Sequence, residues 1–325
     1  MTSLQLYSEL DLLNIIIAMS FDHNSSGVEN IFYQEGYRIV SIDRSVDIDV
    51  GTIKYDIYLS NWEKNMSLGF ELKGLKASNL ELEQFNKYQN IPIQQYITVG
   101  GAFYQDINTH RLQTVIGINK SREEEVKNFI QLHGFTFPLL TIDRDSSIIQ
   151  IVYNELIDKK MHTKLQHVFY DTFGIPTYIF YDKESKDYQI APRIINKIFQ
   201  FAKNDKSVFS VNEIIEETYC AIPGLYQIIG PDVKKSVIVK IKKILRDMSK
   251  NEFSSYLKWD HVNKKWSIKR ISSNSHFNTD SAFLQLGKQY VDRLKQNLSY
   301  PLKGDNFAEQ LSLFDYEEML EKATD

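Results

Sequence analysis

The chain has 325 residues, 42% of them hydrophobic and 25% charged, which excludes wholesale disorder and leaves room for about two domains. A net charge of −4 excludes a uniformly basic, histone-like binder but not a local basic face. A single cysteine, Cys220, excludes a disulfide framework and a CxxC zinc site, and no run of about 18 apolar residues is present to span a membrane.

Residues 3–20 read as a helix, with Leu4, Leu6, Leu12, Leu13, Ile16 and Ile17 on one stripe. Its apolar stretch follows Glu9 and Asp11 rather than the basic start of a signal peptide, so the expectation is a cytoplasmic, reduced protein. After the polar break at 22–27, a second helix is expected over Val28–Gln34, stopping at Gly36. Strands are expected at Tyr37–Ile42, Ile53–Leu59 and Leu68–Leu72, then a helix over Asn79–Tyr88 and a strand at Gln95–Val99 before Gly100 and Gly101. This order predicts an α/β domain with one central sheet over residues 1–145.

Ser121–His133 reads as a helix with Ser121 and Glu124 in capping-box register, Phe135–Ile142 as a strand and Ser147–Leu156 as a helix. Residues 146–206 are expected to form an extension or connector, with a strand-like run at Thr177–Tyr181. Helices follow at Ser210–Thr218 and Asp232–Met248, with a short one between the breakers around Pro223 and Pro231. Strands at Tyr256–Trp259 and Lys264–Lys269 flank a hairpin turn. Three helices and a hairpin predict a winged-helix domain over 207–275. A helix at Ser281–Leu298 and an acidic tail, expected to be mobile, complete 276–325.

The strongest chemical signal is Asp56, then fourteen residues, then Glu71-Leu72-Lys73. Alternate residues of a strand share a face, so Glu71 and Lys73 point together, and the preceding strand can bring Asp56 alongside. Two carboxylates and a backbone carbonyl suit Mg²⁺, and a lysine beside them can orient or help deprotonate the attacking water, its pKa falling if it is partly buried. Asp43, Asp47 and Asp49 lie close enough in sequence to compete for the role of first acid. An exposed Glu-x-Lys pair on an edge strand is the plain alternative.

Asp56…Glu71-Leu72-Lys73 resembles the core of the PD-(D/E)xK nuclease superfamily, and Gln84-Phe-Asn-Lys-Tyr88 resembles the Gln-x-x-x-Tyr motif of its RecB-like members. The likeness covers roughly residues 25–100. It implies a restriction-endonuclease-like mixed sheet flanked by helices, and a Mg²⁺ (or Mn²⁺) held by Asp56, Glu71 and the Leu72 carbonyl. It further implies that Lys73 handles the water, that Gln84 and Tyr88 support the site, and that products carry 5′-phosphate and 3′-hydroxyl ends. Glu29 matches the position of an extra acid in some members. No proline precedes Asp56, a departure from the usual pattern. The nuclease-then-winged-helix order is similar to transposon-end nucleases of the TnsA type.

Residues 231–270 hold ten lysines and two arginines against three aspartates and one glutamate. Lys234, Lys235, Lys242 and Arg246 on the long helix, with Lys264 and Lys265 on the hairpin, form a phosphate-binding footprint without sequence readout, or else a solvated helix face. In the tail, Gln310-Leu311-Ser312-Leu313-Phe314 resembles the peptide by which bacterial proteins dock on the DNA polymerase sliding clamp; an amphipathic helix over Glu309–Leu320 is the alternative. Burying Leu311, Leu313 and Phe314 is worth about 1.5–3 kcal/mol each before ordering costs.

The expectation is a metal-dependent DNA endonuclease recruited to replicating DNA in repair, transposition or phage defence. A double-strand cut needs two active sites and hence a homodimer or a partner subunit. The alternatives are a catalytically inactive DNA-binding adaptor and a winged-helix regulator.

Overall fold

The computed structural model describes residues 6–22, 27–74, 80–269 and 278–299. The centre is a mixed seven-stranded sheet in the order β1-β2-β3-β4-β5-β6-β7. Its first half is an antiparallel meander of β1 (Arg38–Ile48), β2 (Gly51–Asn61) and β3 (Met66–Lys73). β4 (Arg111–Asn119) and β5 (Leu139–Asp143) then add in parallel, and β6 (Ile148–Tyr153) and β7 (Val168–Phe169) antiparallel. Helices cover both faces, which makes the fold α/β.

Each face has its own core. On one, α1 (Glu9–Ser20) lies over β3 with Leu12, Ile16 and Ile17 fully buried. α2 (Ile31–Gln34) joins it there. α1 starts where the sequence provides for it: the Ser8 hydroxyl accepts from the Asp11 amide, and the Asp11 carboxylate accepts from the Ser8 amide at 2.8 Å. On the other face lie α3 (Leu82–Gln89), α4 (Ile93–Gly100) and α5 (Glu123–Leu132).

Three local expectations give way here. Gln95–Val99 is not a strand but the body of α4, because Tyr96 and Ile97 bury on the second core and Gly101 (φ +78°) closes the helix in the left-handed region. The fourth strand is instead β4, whose run Val115–Ile118 is buried throughout. Ser147–Leu156 is not a helix: Ser147 (φ +57°) turns the chain into β6, where Ile149 and Ile151 bury alternately. The Ser121 capping box is absent, since Lys120–Arg122 form a 3₁₀ turn that runs into α5 without a side-chain cap.

The segment 146–206 supplies β6, β7, α6 (Lys159–Lys164) and the amphipathic α7 (Asp187–Lys203). Beyond it come β8 (Val208–Phe209), α8 (Val211–Thr218), α9 (Pro223–Gln227), α10 (Pro231–Lys250), β9 (Leu257–Asp260), β10 (Lys265–Ile268) and α11 (Asn278–Ser299). β8, β10 and β9 form a second, three-stranded antiparallel sheet in that order. Apolar side chains of α7, α8 and α10 continue the core that begins under α1.

The two parts are joined at the outer edge of β1. The Ile42 amide donates to the Ile228 carbonyl (3.0 Å) and the Gly230 amide to the Ile42 carbonyl (2.8 Å). A Cβ at Gly230 would overlap the Asp43 carbonyl oxygen, which is rigid main chain. Gly230→Ala is therefore expected to cost about 1–3 kcal/mol in urea denaturation, while Gly224→Ala, with open space around it, costs less than half as much.

Candidate active site

The antiparallel ladder between β2 and β3 runs from Asn61 opposite Met66 to Ile57 opposite Phe70 and stops there. The next residues, Asp56 and Glu71, sit where the strands part: β2 continues against β1 only, and β3 against β4 only. The parting leaves the Leu72 amide without a strand partner on the β2 side. The Asp56 carboxylate takes its place, accepting from the Leu72 N–H at 2.6 Å.

Asp56 reaches that amide because β2 changes face beside it. Ile53 and Tyr55 pack into the second core, whereas Ile57 and Leu59 pack into the first. β1 makes the same change at the same level: Ile42 faces the first core, Val46 and Ile48 the second. Asp43, with φ +52°, absorbs the reversal. The side chain of Asp56, at the switch, projects into the gap rather than onto either face.

β3 is the buried strand on which the other two groups ride. All eight of its residues are inaccessible, Glu71 at 4% and Lys73 at 7% exposure, which removes the alternative of a solvated pair on an edge strand. The Lys73 ammonium lies 2.6 Å from Glu71 Oε1. α3 brings Gln84 and Tyr88, one turn apart, onto the same carboxylate. Gln84 Nε2 donates to Glu71 Oε1 (2.9 Å), and Lys73 Nζ donates to Gln84 Oε1 (3.2 Å). The Tyr88 hydroxyl lies 2.5 Å from Glu71 Oε2 and 2.6 Å from the Lys54 carbonyl oxygen. Its single proton serves one of these at a time. Tyr88 itself is held by a stack on Tyr55 (4.9 Å), whose ring occupies the space left open by Gly69.

Burial dominates the titration of both acids. It pushes Asp56 well above the carboxylate range, and Glu71 and Asp43 add to the rise against the Leu72 hydrogen bond. Glu71 is also raised, burial outweighing Lys73, Tyr88 and Gln84. For Lys73 the expectation of a lowered pKa fails: burial pulls it down, but the Glu71 charge and hydrogen bond outweigh burial and the net shift is upward. Lys73 is a fixed cation in this state.

Two of the competing acids are engaged elsewhere, Asp47 with Thr52 (2.7 Å) and Asp49 with Gln95 (3.0 Å). Asp43 lies opposite Asp56 but pairs with Lys54 at 2.6 Å. Glu29 precedes α2 instead of lying on a helix. It is exposed, next to the Val28–Tyr170 bridge by β7, and among the described residues no hydrogen bond or ion pair ties it to Asp56, Glu71 or Lys73. The acid that does face them is Glu9, the first residue of α1, whose charge acts on both Asp56 and Lys73. Gly74 permits this approach, since a Cβ there would stand 2.6 Å from the Glu9 nitrogen. Sequence reasoning missed Glu9; the spacing of Ser8 and Asp11, a helix cap that sets the start of α1 at Glu9, is the signal that could have found it.

Among the described residues no group of three or more His, Cys, Asp or Glu side chains is gathered to hold a metal. The donors that remain fit a hard cation that keeps several waters. A carboxylate offers about four lone-pair positions. Asp56 spends one on Leu72, and Glu71 spends three on Lys73, Gln84 and Tyr88. Free oxygen positions thus remain on both, beside the Leu72 main chain.

The basic residues occupy a separate surface. Lys235, Lys242 and Arg246 recur on one face of α10, Lys235 and Arg246 exposed and Lys242 half-buried. Lys264 and Lys265 are exposed beside the β9–β10 turn. Lys234 turns inward, over the Tyr226 ring (4.8 Å) and onto the Gln227 carbonyl (3.2 Å). Gln310, Leu311, Ser312, Leu313 and Phe314 lie outside the described residues. Among those described, no helix is long and apolar enough to cross a membrane. No protein-family model, curated protein or solved structure matches the chain.

An acid with a raised folded pKa favours the fold below its unfolded value, near pH 4, and loses that advantage as pH rises through the folded value. Asparagine at 56 can still accept from Leu72 but carries no charge. Metal-free Asp56→Asn protein should therefore melt above wild type at pH 8, with the difference vanishing near pH 4. Calorimetry at the two pH values checks this, and a gap of equal size at both would remove buried charge as its cause.

Proposed function

We propose that the chain is a Mg²⁺- or Mn²⁺-dependent DNA endonuclease of restriction-endonuclease-like architecture. The observation that carries the reading is the meeting of Asp56, Glu71 and Lys73 where β2 and β3 part, with Gln84 and Tyr88 from α3 on the Glu71 carboxylate. This is the set and order that the PD-(D/E)xK resemblance implies. Phosphodiester hydrolysis needs an attacking water, charge neutralisation at phosphorus and protonation of the leaving oxygen. Asp56, Glu71 and the Leu72 carbonyl would hold the metal, which when bound lowers the pKa of a water and offsets charge on the phosphate. Lys73, held between Glu71 and Gln84, orients the water and faces the phosphate with a full positive charge. Tyr88 and Gln84 keep Glu71 aimed into the gap.

DNA is the proposed partner, held by a winged-helix-like unit. Supporting this is the order α7, β8, α8, α10, β9, β10 with strands arranged β8-β10-β9, and the Lys235–Lys242–Arg246 face of the long helix. The tail peptide Gln310–Phe314 is proposed to recruit the enzyme to a sliding clamp. Weak tail binding would then combine with DNA binding into useful avidity. Two active sites, from a homodimer or a partner subunit, are needed for a double-strand cut.

A second reading, an inactive DNA-binding adaptor or regulator, draws on one observation: Glu71 already carries three hydrogen-bond donors of its own protein. Supercoiled plasmid in Mg²⁺ or Mn²⁺ separates the two. Wild type should nick or linearise it, Glu71→Ala should not, and Tyr88→Phe should lose about 10–100-fold. Wild-type protein that binds the plasmid yet leaves it intact, with and without loaded clamp, establishes the adaptor. For the tail, Leu313→Ala with Phe314→Ala should abolish clamp binding on a sensor surface and leave cleavage of naked DNA unchanged.

A further inference from the structure

Lys54 has no part in the scheme above, yet it stands at the same site. It lies on β2 two residues before Asp56, and its carbonyl oxygen is one of the two oxygens close to the Tyr88 hydroxyl. Its ammonium is 2.6 Å from Asp43 Oδ1, and its side chain keeps 34% exposure, against 8% for Lys73. Lys73 is committed to Glu71 and Gln84. Lys54 is held by a carboxylate that takes no part in the Asp56–Glu71 pair, and it has an open side.

What lies next to the Asp43–Lys54 pair follows from the docking of the C-terminal part. Ile42, one residue before Asp43, forms a bridge with Ile229 and accepts from the Gly230 amide. α10 begins at the next residue, Pro231, and Lys235 is exposed one turn on. Asp43 and Lys54 thus lie between the carboxylates and the start of the basic helix. The rigid overlap that a side chain at Gly230 would cause shows how closely this junction fixes the Asp43 main chain.

We propose that Lys54 contacts a backbone phosphate of the bound nucleic acid on the α10 side of the scissile one, and that Asp43 is a positioning residue that holds Lys54 for it. The inference rests on the phosphodiesterase reading above. A lysine supplies a compact point charge, suited to a phosphate contact that carries no sequence information. Lys54 thereby connects the carboxylate site to Lys235, Lys242 and Arg246 as one phosphate track.

The test is the salt dependence of binding. The full-length protein is titrated against a fluorescein-labelled 30-base-pair duplex in Ca²⁺ at several KCl concentrations, and binding is read by anisotropy. Loss of one phosphate contact makes the slope of log K against log salt shallower by about 0.9. Lys54→Met should show that change, whereas Lys54→Arg and Asp43→Asn should keep the wild-type slope. In Mg²⁺, Asp43→Asn should lower kcat for cleavage about tenfold or more with KM unchanged, as expected for a misplaced but present cation. Lys54→Gln replaces the methionine variant if thermal melting shows the latter unfolded. A folded Lys54 variant with the wild-type slope overturns the inference while cleavage by wild type leaves the nuclease reading standing. Wild-type protein that neither binds nor cuts DNA overturns both.

Discussion

The fork between β2 and β3 is the constraint on which the rest of the site depends. A buried amide left without a partner costs about 1–3 kcal/mol, so two strands do not part inside a sheet unless something replaces the lost bond. Asp56 is that replacement. The same carboxylate is therefore structural and chemical at once: it closes the gap in the backbone pairing and keeps its remaining lone pairs directed into that gap. The reversal at Asp43 makes this possible, because a regular strand would send the Asp56 side chain onto one face of the sheet. A left-handed residue in mid-strand is unfavourable, and an aspartate bears it better than most.

Much of this was legible in the chain. The Glu71-x-Lys73 spacing on an apolar strand and the Gln84–Tyr88 turn of helix put four side chains within reach of one another, and the structure joins all four by hydrogen bonds or an ion pair. Both rest on strict local periods, two for a strand and 3.6 for a helix. The elements that sequence reading missed have weak or misleading periods. Ile97-Thr98-Val99 has the β-branched content of a strand, but tertiary burial of Tyr96 and Ile97 overrides propensity. β4 buries both faces in the middle of the sheet, so it shows a plain apolar run rather than an alternation. Glu29 matches the extra acid by its place in the order of elements, and nothing local marks Glu9 as a site acid. The approach of α1 to Gly74 is a long-range contact that no local pattern encodes.

The electrostatics follow from placing charged groups on the most buried strand. Desolvation raises both carboxylates, and the ion pair with Lys73 offsets part of it for Glu71. A buried pair of this kind contributes little net stability, and apolar residues of the same volume would hold the strand at least as well. What the arrangement secures is a carboxylate of fixed direction: Glu71 is gripped on Oε1 by Lys73 and Gln84 and on Oε2 by Tyr88, whose ring is fixed in turn by Tyr55 over Gly69. Such rigidity would suit the metal ligand proposed for Glu71, since Mg²⁺ makes strict geometric demands.

The docking of Ile228–Gly230 on β1 extends the same logic to the whole chain. An outer strand with free amides and carbonyls invites pairing with other chains, and covering it removes that hazard. Here the cover consists of the residues that lead into α10, and it falls at Ile42, beside Asp43, the left-handed residue of β1. The hydrogen bonds that protect the edge therefore also fix Asp43, and Asp43 fixes Lys54. A shift of the basic helix along β1 would have to break the Ile42–Gly230 bond and move the left-handed residue opposite Asp56. The acidic site and the basic surface are thus held in one register by main-chain bonds. Under the proposed nuclease reading, a nucleic acid bound along α10 would meet the carboxylates at a fixed distance along its backbone, and the cut would fall at a defined position from the protein's own grip.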